Sequence, residues 1–295
     1  MKYKISVVIP NFNGLDLLAK NLVSVVTNTL SYDPDAEVIV VDDASKDDSV
    51  KYLKENFPKV IVLKHLRNRG FSATVNSGIK IARGDLIVLL NNDVLPINNY
   101  LHSVVDHFND GEVFAVSFHE KGYGWAKGYF KDGFVQHSGG VESTTSHRTF
   151  WVNGGSGIFR ASMLKKIRYF DEELFSPFYW EDIDLSYRGA KRGWKLIWEP
   201  KSCVIHEHES TIKKINQGKK DLIVQRNQLL FIWKNITSRT MIVRHLKGLM
   251  LRLSRHPGYI RIIFAALLKL EICLRKREIE IKESKICDEI LLSEY

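Results

Sequence analysis

Polar side chains that could bind a divalent cation or a phosphate follow several short apolar segments. The most informative segment is Leu86–Leu90, an unbroken apolar run that stops at Asn91, Asn92 and Asp93. Such a run predicts a strand buried on both faces, and ligands of open α/β sheets bind beyond the carboxyl ends of the strands. Oxygen donors at that position suit a divalent cation and a phosphate-bearing ligand. A polar turn explains this one segment equally well.

Comparable side chains follow two other predicted strands. Ile5–Ile9 ends in Pro10-Asn11-Phe12-Asn13, and Glu37–Val41 ends in Asp42 and Asp43. Each end taken alone could be an ordinary turn. Three such ends at one edge of a sheet would form a polar, partly acidic crevice, which is harder to explain as structure alone. The three strand ends are therefore the first candidate binding site.

Two adjacent carboxylates, Glu181 and Asp182, form a second candidate site. They follow the aromatic residues Tyr179 and Trp180, and apolar residues continue after them at helical spacing. Mutual repulsion raises the proton affinity of one carboxylate in such a pair, which suits general acid or base chemistry. The alternative is structural, with Asp182 as the N-cap of a helix.

His206 and His208 end a predicted strand, and the alternation of side chains places both imidazoles on one face. Each imidazole could ligate a metal or be an ordinary polar residue, and we give the ordinary role more weight. The segment does not carry the four His and Cys ligands of a closed zinc site.

The elements that carry these residues alternate along the first part of the chain. A β-α-β-α order predicts a parallel sheet covered by helices on both faces. Ser45 is a candidate N-cap for one helix. The predicted strands are Ile5–Ile9, Glu37–Val41, Val60–Leu63, Leu86–Leu90, Val113–Phe118 and Lys195–Trp198, and the predicted helices are Gly14–Leu30, Ser45–Phe57, Phe71–Ala82 and Ile97–Asn109.

The middle of the chain differs in composition. Lys121 to Phe150 is rich in Gly, Ser, Thr and aromatic residues with little periodicity, and we expect an irregular or short-stranded insertion. Segments of this length inside compact domains are more often functional than idle. Gly154, Gly155 and Gly157 then allow a close backbone approach to a ligand. The Gly-Lys-Ser/Thr ending of a Walker-type phosphate loop is missing.

The 295-residue chain has a net charge of +9, and its basic residues are concentrated towards the C-terminal end. Between Ile212 and Lys282 it carries 17 Lys and Arg against four Asp and Glu, so this segment holds +13 and the remainder −4. Tyr259–Leu274 is strongly apolar but interrupted by charges. It predicts an interfacial helix on anionic lipid or, equally well, a core-packed helix. The tail from Glu278 is a candidate for fraying.

Composition argues against several other classes of protein. No apolar run reaches about 18 residues, so a transmembrane helix is not expected. A strand follows directly after Met1-Lys2-Tyr3-Lys4, so a signal peptide is not expected. Cys203, Cys273 and Cys287 are odd in number and far apart, which is typical of reduced thiols in a cytosolic protein.

Together these motifs resemble those of the family 2 glycosyltransferases with a GT-A fold, particularly the bacterial rhamnosyltransferase-like branch. The resemblance runs from about Lys4 to Asn235. Its specificity lies in the order and spacing of short motifs, which are Ser6 to Gly14, Val40 to Ser45, Asn68 to Phe71 with Asn76 and Gly78, Asn91 to Asp93, Gly154 to Gly157, Glu181-Asp182, His206 and Arg226-Asn227.

The resemblance implies an α/β architecture in three parts. A mainly parallel, Rossmann-like nucleotide-binding sheet would occupy residues 1–118, and an acceptor-binding half would occupy residues 119–235. Residues 236–295 would form a basic, amphipathic helical extension. The implied activity is an inverting transfer of a sugar from a nucleotide donor, dTDP-rhamnose or a UDP-hexose, to a hydroxyl of a glycan acceptor in the synthesis of bacterial surface polysaccharide.

The resemblance also implies a role for each candidate residue. The family signature Asp-X-Asp is Asn91-Asn92-Asp93 here, so Asp93 remains as the main anionic ligand for Mg²⁺ or Mn²⁺. The Trp180 ring could stack on a sugar, although core packing is the commoner use of such a residue. The implied roles are nucleotide-sugar binding by Pro10, Asn11, Asn13, Asp42, Asp43, Arg69, Asn91 and Asn92, metal binding by Asp93 and His206, acceptor binding by Gly155 and Trp180, and catalysis by Asp182 as base with Glu181 as an orienting group.

The implied partners are a nucleotide-sugar donor, a glycan or lipid-linked saccharide acceptor and an anionic membrane surface. They would place the protein in the cytoplasm, peripherally on the inner face of the membrane. Pairing of two chains through the C-terminal helices is an open alternative. A basic nucleic-acid-binding protein is a weaker hypothesis because no recognition motif is present. The retained Asp93, Asp182 and His206 argue against a catalytically lapsed homologue.

Overall fold

The structure, a computed structural model, describes residues 3–97, 99–206 and 216–293. These residues form a central nine-stranded sheet and a separate two-stranded hairpin. The strands are β1 (Ile5–Asn11), β2 (Glu37–Asp42), β3 (Ile61–Lys64), β4 (Leu86–Leu90), β5 (Val94–Pro96), β6 (Val113–Glu120), β7 (Ala126–Lys131), β8 (Phe134–Gly139), β9 (His147–Arg148), β10 (Ser156–Arg160) and β11 (Lys195–His206).

Helices cover the sheet and form the C-terminal part of the chain. No helix among the described residues is long and apolar enough to cross a membrane. The helices are α1 (Leu15–Tyr32), α2 (Ser49–Asn56), α3 (Phe71–Ile81), α4 (His102–Val105), α5 (Ala161–Lys166), α6 (Glu181–Lys191), α7 (Gln217–Asn235), α8 (Arg239–Arg255), α9 (Ile260–Leu267), α10 (Leu270–Glu283) and α11 (Asp288–Leu291).

The order of strands in the sheet is β3-β2-β1-β4-β10-β6-β11-β5, with β9 beside β11. Its first four strands are parallel to one another, whereas β10 runs antiparallel between β4 and β6. Every residue of β4 is buried, as its unbroken apolar run predicted. The predicted α/β fold with a mainly parallel sheet is confirmed, and the carboxyl ends of β1, β2 and β4 lie side by side.

Two elements differ from the sequence-based expectation. The helix predicted over Ile97–Asn109 begins only at His102 and continues as a 3₁₀ turn from Asp106 to Asn109. The short strand β5 precedes it and pairs with β11, a long-range contact that local periodicity does not reveal. The strand predicted over Lys195–Trp198 continues to His206 through an irregularity after Glu199.

The insertion between Lys121 and Phe150 is short-stranded, as expected. Strands β7 and β8 pair as an antiparallel hairpin, and β9 joins the edge of β11. Phe134 and Val135 of β8 are buried in the core. The hairpin therefore forms a wall beside the carboxyl end of β6.

The C-terminal helices pack against the sheet domain. Helix α7 contacts α6, α9 and α10, and the Cys273 side chain of α10 is fully buried against it. The chain remains helical past Glu278 to the end of α10, and α11 follows. The prediction of fraying from Glu278 is therefore wrong for the residues that the structure describes.

Asp288 anchors this segment to the core. Its Oδ1 accepts hydrogen bonds from the Tyr187 hydroxyl at 2.7 Å and the Lys191 amine at 2.8 Å. Its Oδ2 accepts from the backbone N–H groups of Thr237 and Ser238, both at 2.7 Å. Asp288 and Lys191 are both fully buried, so each charge depends on the other.

The substitution Asp288→Ala tests this anchor. It leaves the buried amine of Lys191 without its carboxylate, so we expect the free energy of unfolding to fall by about 3–5 kcal/mol. Urea denaturation followed by circular dichroism measures the change. The control is Glu278→Ala at an exposed position of α10, with an expected change within about 0.5 kcal/mol. Equal stability of the two variants would contradict an anchoring role for Asp288.

Candidate functional site

A chain of hydrogen-bonded side chains joins the carboxyl ends of β1, β2 and β4. Asn92 Nδ2 donates to Asn11 Oδ1 at 2.8 Å, and Asn11 Nδ2 donates to Asp42 Oδ2 at 3.1 Å. Asp42 Oδ1 accepts from the backbone N–H of Ser45 at 3.0 Å. A Cβ atom at Gly14 would lie 2.1 Å from Asn92 Nδ2 and 2.5 Å from Asn11 Oδ1, so any side chain there would displace these two amides. The three predicted strand ends thus meet at one edge of the sheet.

Asn13 fastens the loop after β1 to the loop after β2. Its N–H donates to Ser45 Oγ at 2.8 Å, and its Oδ1 accepts from the N–H of Lys46 at 2.7 Å. Because Ser45 is used in this way and α2 begins at Ser49, the prediction of Ser45 as an N-cap is wrong. Pro10 is a paired residue of β1, directly below the same loop.

Asp43 shapes the loop that precedes α3. Its Oδ1 lies 2.7 Å from His65 Nδ1, and its carboxylate accepts from the N–H groups of Arg69 and Gly70, each at 2.9 Å. The Arg69 side chain turns to Glu172, with Nη2 2.9 Å from Oε2. The resemblance described above predicted that Asp43 and Arg69 bind the nucleotide. With these contacts, both residues lie at the border of the crevice.

Gly155 packs directly against Asn91 at the end of β4. The N–H of Asn91 donates to the carbonyl oxygen of Gly155 at 2.8 Å. A Cβ atom at Gly155 would lie 2.3 Å from Asn91 Nδ2, so any side chain there would displace that amide. In this structure, Gly155 therefore determines where the Asn91 side chain can lie.

Asp93, His206 and Glu120 form a line at the ends of β4, β11 and β6. Asp93 Oδ1 lies 3.1 Å from His206 Nε2, and Glu120 Oε1 lies 3.1 Å from His206 Nδ1. Glu120 Oε1 also accepts from Asn153 Nδ2 at 2.8 Å and from Ser156 Oγ at 2.6 Å. Burial alone would lower the pKa of His206, but the two carboxylates raise the pKa of His206 to about 9.

These side chains suit a divalent cation. Asp93 is 2% exposed, and its Oδ1 lies 3.1 Å from His206 Nε2. A buried carboxylate is costly unless a cation pairs with it, and a divalent cation bound to both side chains could replace the proton on Nε2 in that role. Carboxylate and imidazole ligands are compatible with Mn²⁺, and carboxylates suit Mg²⁺. By accepting the Nδ1–H of His206, Glu120 would direct Nε2 towards the metal, the usual arrangement for a ligating His.

The protein ligands alone do not form a complete metal site. No group of three His, Cys, Asp or Glu side chains in residues 3–97, 99–206 and 216–293 is arranged to hold an ion. Mg²⁺ commonly keeps water and phosphate oxygens as ligands beside one or two carboxylates. Asp93 and His206 therefore fit a cation whose remaining ligands come from a phosphate-bearing substrate. His208, the less certain second imidazole, lies outside the described residues.

Glu181 and Asp182 lie in the first turn of α6, so the alternative role of Asp182 as an N-cap is wrong. Burial raises the pKa of Asp182 to about 6, and the negative charge of Glu120 adds to this effect. Burial and the neighbouring Asp182 raise the pKa of Glu181 well above its ordinary value. The surroundings therefore raise the pKa values of both carboxyl groups, and the pKa of Asp182, at about 6, lies below neutral pH.

The loop at residues 153–155 connects the two sets of carboxylates. Asn153 donates to Glu120 on one side, and the backbone N–H of Gly154 stabilises the ionised form of Asp182 on the other. The sequence analysis missed Glu120 and Asn153. Glu120 ends a buried strand, as Asp93 does, so the same rule about polar residues at strand ends would have identified it.

The Trp180 ring lies in the core and not on an open surface. It is 4% exposed and packs between His137, at 5.6 Å between ring centroids, and Phe231, at 5.0 Å. This position leaves little ring surface for a sugar. Trp151, with its ring centroid 4.8 Å from that of His137, is only half-buried.

Comparison with known proteins gives a consistent result. The family model described as Glycosyl transferase family 2 matches residues 6–168. A pre-mycofactocin glycosyltransferase of Mycobacterium tuberculosis is 29% identical over 187 residues, which cover 60% of this chain and 38% of the relative. The chain therefore matches well under half of that relative's length.

Two further comparisons extend the match. The GalNAc(5)-diNAcBac-PP-undecaprenol beta-1,3-glucosyltransferase of Campylobacter jejuni is 26% identical over 214 residues, 69% of this chain and 62% of the relative. The crystal structure of GalNAc-T7 with UDP, GalNAc and Mn²⁺ superposes with a TM-score of 0.67 at 17% identity, covering 80% of this chain and 48% of that one. At this identity the superposition shows a shared fold.

The role of Glu120 is tested by its effect on metal affinity. The substitution Glu120→Ala removes the acceptor for His206 Nδ1, so we expect Mn²⁺ to bind about 10–100-fold more weakly. Glu120→Gln keeps one acceptor oxygen, so we expect a smaller loss of affinity for Mn²⁺. Electron paramagnetic resonance of free Mn²⁺ measures both changes.

The matched control is Glu142→Ala, which removes the carboxylate 2.7 Å from a different imidazole, that of His119. Its affinity for Mn²⁺ should equal that of the unmodified chain. If Glu120→Ala also leaves Mn²⁺ affinity unchanged, Glu120 does not orient a metal ligand.

Proposed function

The chain belongs to glycosyl transferase family 2, and we propose that it moves a sugar from a nucleoside-diphosphate donor to a hydroxyl of a glycan, with inversion at the anomeric carbon. One observation carries the proposal. Asp93, a buried carboxylate with its Oδ1 3.1 Å from His206 Nε2, is linked through His206, Glu120 and the loop at 153–155 to Asp182. A cation ligand and a general base thus share one crevice.

The nucleotide half of the site is the edge formed by β1, β2 and β4. We place the nucleoside along the side chains of Asn11, Asp42 and Asn92, which present both donors and acceptors at the strand ends. Asn13 and Asp43 hold the two loops that border this edge. These groups would position the donor, while Asn91 packs against Gly155 behind it.

Asp182 serves as the base in this proposal. As the acceptor oxygen forms its bond to the anomeric carbon, Asp182 takes the proton of that hydroxyl. The bond between the same carbon and the diphosphate oxygen breaks, and its electron pair leaves on the diphosphate. Attack from the side opposite the leaving group inverts the anomeric carbon. Glu181 would orient the acceptor or the loop.

A divalent cation held by Asp93 and His206 would supply Lewis-acid stabilisation of the negative charge on the departing diphosphate. The Mn²⁺ in the GalNAc-T7 structure supports this assignment. Glu120 and Asn153 would keep His206 in place while that charge develops. The same buried surroundings strengthen each of these electrostatic contacts by excluding water.

The donor and the acceptor are proposed by class. Resemblance to the rhamnosyltransferase-like branch favours dTDP-rhamnose, and the UDP in the GalNAc-T7 structure supports a UDP-hexose as the other candidate. The Campylobacter jejuni relative is named for an undecaprenol-linked saccharide, which supports a lipid-linked acceptor. Both choices fit a role in bacterial surface polysaccharide synthesis.

The surface of α8 and α9 supports an association with anionic membranes. Helix α8 carries five Lys and Arg and no Asp or Glu. Apolar side chains lie exposed between these cations, with Met250 73% exposed on α8 and Leu268 88% exposed just after α9. A helix with such a basic and apolar surface suits the headgroup region of a bilayer. We propose this surface as the membrane-facing side.

The catalytic proposal is tested by sugar transfer and by donor hydrolysis across a panel of nucleotide sugars, with Mn²⁺, Mg²⁺ or EDTA. We expect metal-dependent release of one nucleotide. The substitution Asp182→Asn should slow transfer by about 10²–10⁴-fold, because it removes the general base. The rate of donor hydrolysis should fall by a smaller factor, because the attack of water depends less on a general base than the attack of a sugar hydroxyl does.

The pH dependence of transfer gives an independent check. A base must be ionised to act, so activity should be present above a pKa of about 6 and fall tenfold per pH unit below it. The residual activity of Asp182→Asn should not show this fall at low pH. Absence of nucleotide release and of nucleotide binding for every donor would overturn the proposed function.

The membrane assignment is tested by flotation with vesicles of phosphatidylglycerol and phosphatidylcholine. The double change Lys247→Glu with Arg255→Glu should weaken binding on the order of fivefold for each cation removed. Phosphatidylcholine alone, or high salt, should also reduce binding. Lys51→Glu with Lys54→Glu on α2 changes the net charge equally and should have no effect. Equal flotation of the two double variants would refute the proposal that this surface binds the membrane.

A further inference from the structure

A thiol and an imidazole lie next to each other on two neighbouring strands, outside the proposed catalytic crevice. His119 of β6 is paired with Cys203 of β11 in the sheet, and Cys203 Sγ lies 3.6 Å from His119 Nδ1. The carbonyl oxygen of Pro200 lies 3.0 Å from the same nitrogen and 3.3 Å from the sulfur. A sulfur, a nitrogen and an oxygen donor therefore form a compact triangle.

This triangle has the dimensions of three ligands around one cation. A Zn²⁺ ion about 2.3 Å from the sulfur and about 2.0 Å from the nitrogen spans their separation of 3.6 Å with an angle of about 110°, close to the tetrahedral value. The carbonyl oxygen adds a third ligand and leaves the fourth position to water. Because this third donor belongs to the backbone, the triangle is compatible with the lack of a group of three acidic, His or Cys side chains among the described residues.

Glu142 orients the imidazole of His119. Its Oε1 lies 2.7 Å from His119 Nε2 and accepts from the N–H of Gly122 at 2.9 Å. When Nε2 carries the proton that this carboxylate accepts, the lone pair of Nδ1 faces the carbonyl oxygen of Pro200 across 3.0 Å. Two acceptors at that distance repel each other unless a proton or a cation lies between them. A carboxylate on the far nitrogen is also the usual partner of a His that binds a metal.

An irregularity in β11 brings the backbone oxygen to this position. The register between β6 and β11 shifts between Glu199 and Cys203. Glu199 Oε1 accepts from the N–H of Lys201 at 3.0 Å, and the Ser202 hydroxyl donates to the carbonyl oxygen of Tyr100 at 2.6 Å. These bonds hold the donors in position by themselves, so the binding of a cation requires little rearrangement.

The donor set favours a cation that binds sulfur. Burial and the negative charges of Glu142 and Glu199 raise the pKa of the Cys203 thiol. At neutral pH the sulfur therefore keeps its proton until a cation displaces it. A thiolate together with an imidazole selects Zn²⁺, whereas Mg²⁺ and Mn²⁺ suit oxygen donors. Asp93 and His206 offer no sulfur, so the two sites favour different cations.

We propose that the thiolate of Cys203, the imidazole of His119 and the carbonyl oxygen of Pro200 bind one Zn²⁺ ion. Glu142 is the positioning residue for this imidazole. The inference does not depend on sugar transfer. Because the ion would join β6 to β11, it would hold together the strand ends that carry Glu120 and the proposed catalytic metal ligand.

The first test uses Co²⁺ as a probe, because a thiolate bound to Co²⁺ gives a charge-transfer absorption band in the near ultraviolet. The reduced, metal-free chain should develop this band on titration with Co²⁺, and Zn²⁺ should remove it. Cys203→Ser and His119→Ala should each abolish the band at the same Co²⁺ concentration, whereas Cys287→Ser at an exposed position should keep it. Absence of the band from the unmodified chain, or its persistence in Cys203→Ser, would overturn the proposal.

The second test separates this site from the proposed catalytic metal site. Glu142→Ala should weaken Co²⁺ binding, measured by the band, about 10–100-fold, because it removes the partner of the imidazole. Glu120→Ala should leave the band unchanged. This order is the reverse of the order expected for Mn²⁺ at Asp93 and His206, so each variant is the control for the other. Equal affinity for Co²⁺ in the two variants would overturn the positioning role of Glu142.

A third measurement uses the unmodified chain and therefore does not depend on the folding of a variant. Free Zn²⁺ at about ten times its Kd should slow the alkylation of Cys203 by N-ethylmaleimide about tenfold, because the bound sulfur is not free to react. The exposed Cys287 is the internal control, and its rate should not change. Mass spectrometry of proteolytic peptides measures both rates. An unchanged rate at Cys203 in the presence of Zn²⁺ would overturn the proposal.

Discussion

The buried amine of Lys234 makes the contact on which the position of α6, the helix that carries the proposed base Asp182, depends. Lys234 is 2% exposed, and its Nζ lies 2.8 Å from Asp171 Oδ2 and 2.9 Å from Asp184 Oδ2. Burial alone would raise the pKa of Asp171, but Lys234 and Lys276 hold the pKa of Asp171 well below its usual range. Each charge is costly without the others. Since Asp184 lies two residues after Asp182 on α6, this network ties the helix that carries the proposed base to α7.

The same network makes the C-terminal helices part of the site's support. Lys276 of α10 also pairs with Asp171, at 2.5 Å, and Arg192, which directly follows α6, pairs with Glu280 of α10 at 2.9 Å. The basic character of the tail therefore has two physical origins. Some of its cations are buried partners of core carboxylates, whereas Lys247 and Arg255 on α8 are exposed to solvent. A membrane contact at α8 would act on a segment that is tied to α6.

Sequence reasoning succeeded where the physical signal is local. An apolar run that stops at polar residues predicts a strand end, and this rule brought Asn11, Asp42 and Asn92 to one edge. It failed where partners are distant along the chain: Glu120 is 86 residues from His206, and Asp171 is 63 residues from Lys234. The position of Trp180 in the core was not predictable either, because its ring packs against residues of the hairpin and of α7. Neither kind of contact has a periodicity that the sequence could reveal.

The replacement of an acidic signature by Asn91-Asn92-Asp93 has a physical explanation in these contacts. Asn92 donates its amide N–H to Asn11, which a carboxylate cannot do, so the side chain is committed to holding the strand ends together. Asn91 lies against Gly155, where a charge would have no cation beside it among the contacts described. The negative charge is supplied instead from β6, because Glu120 stands on the far side of His206 from Asp93. One imidazole between two carboxylates keeps the site anionic enough for a divalent cation. The loss of one acidic residue from the motif is therefore compatible with an active enzyme.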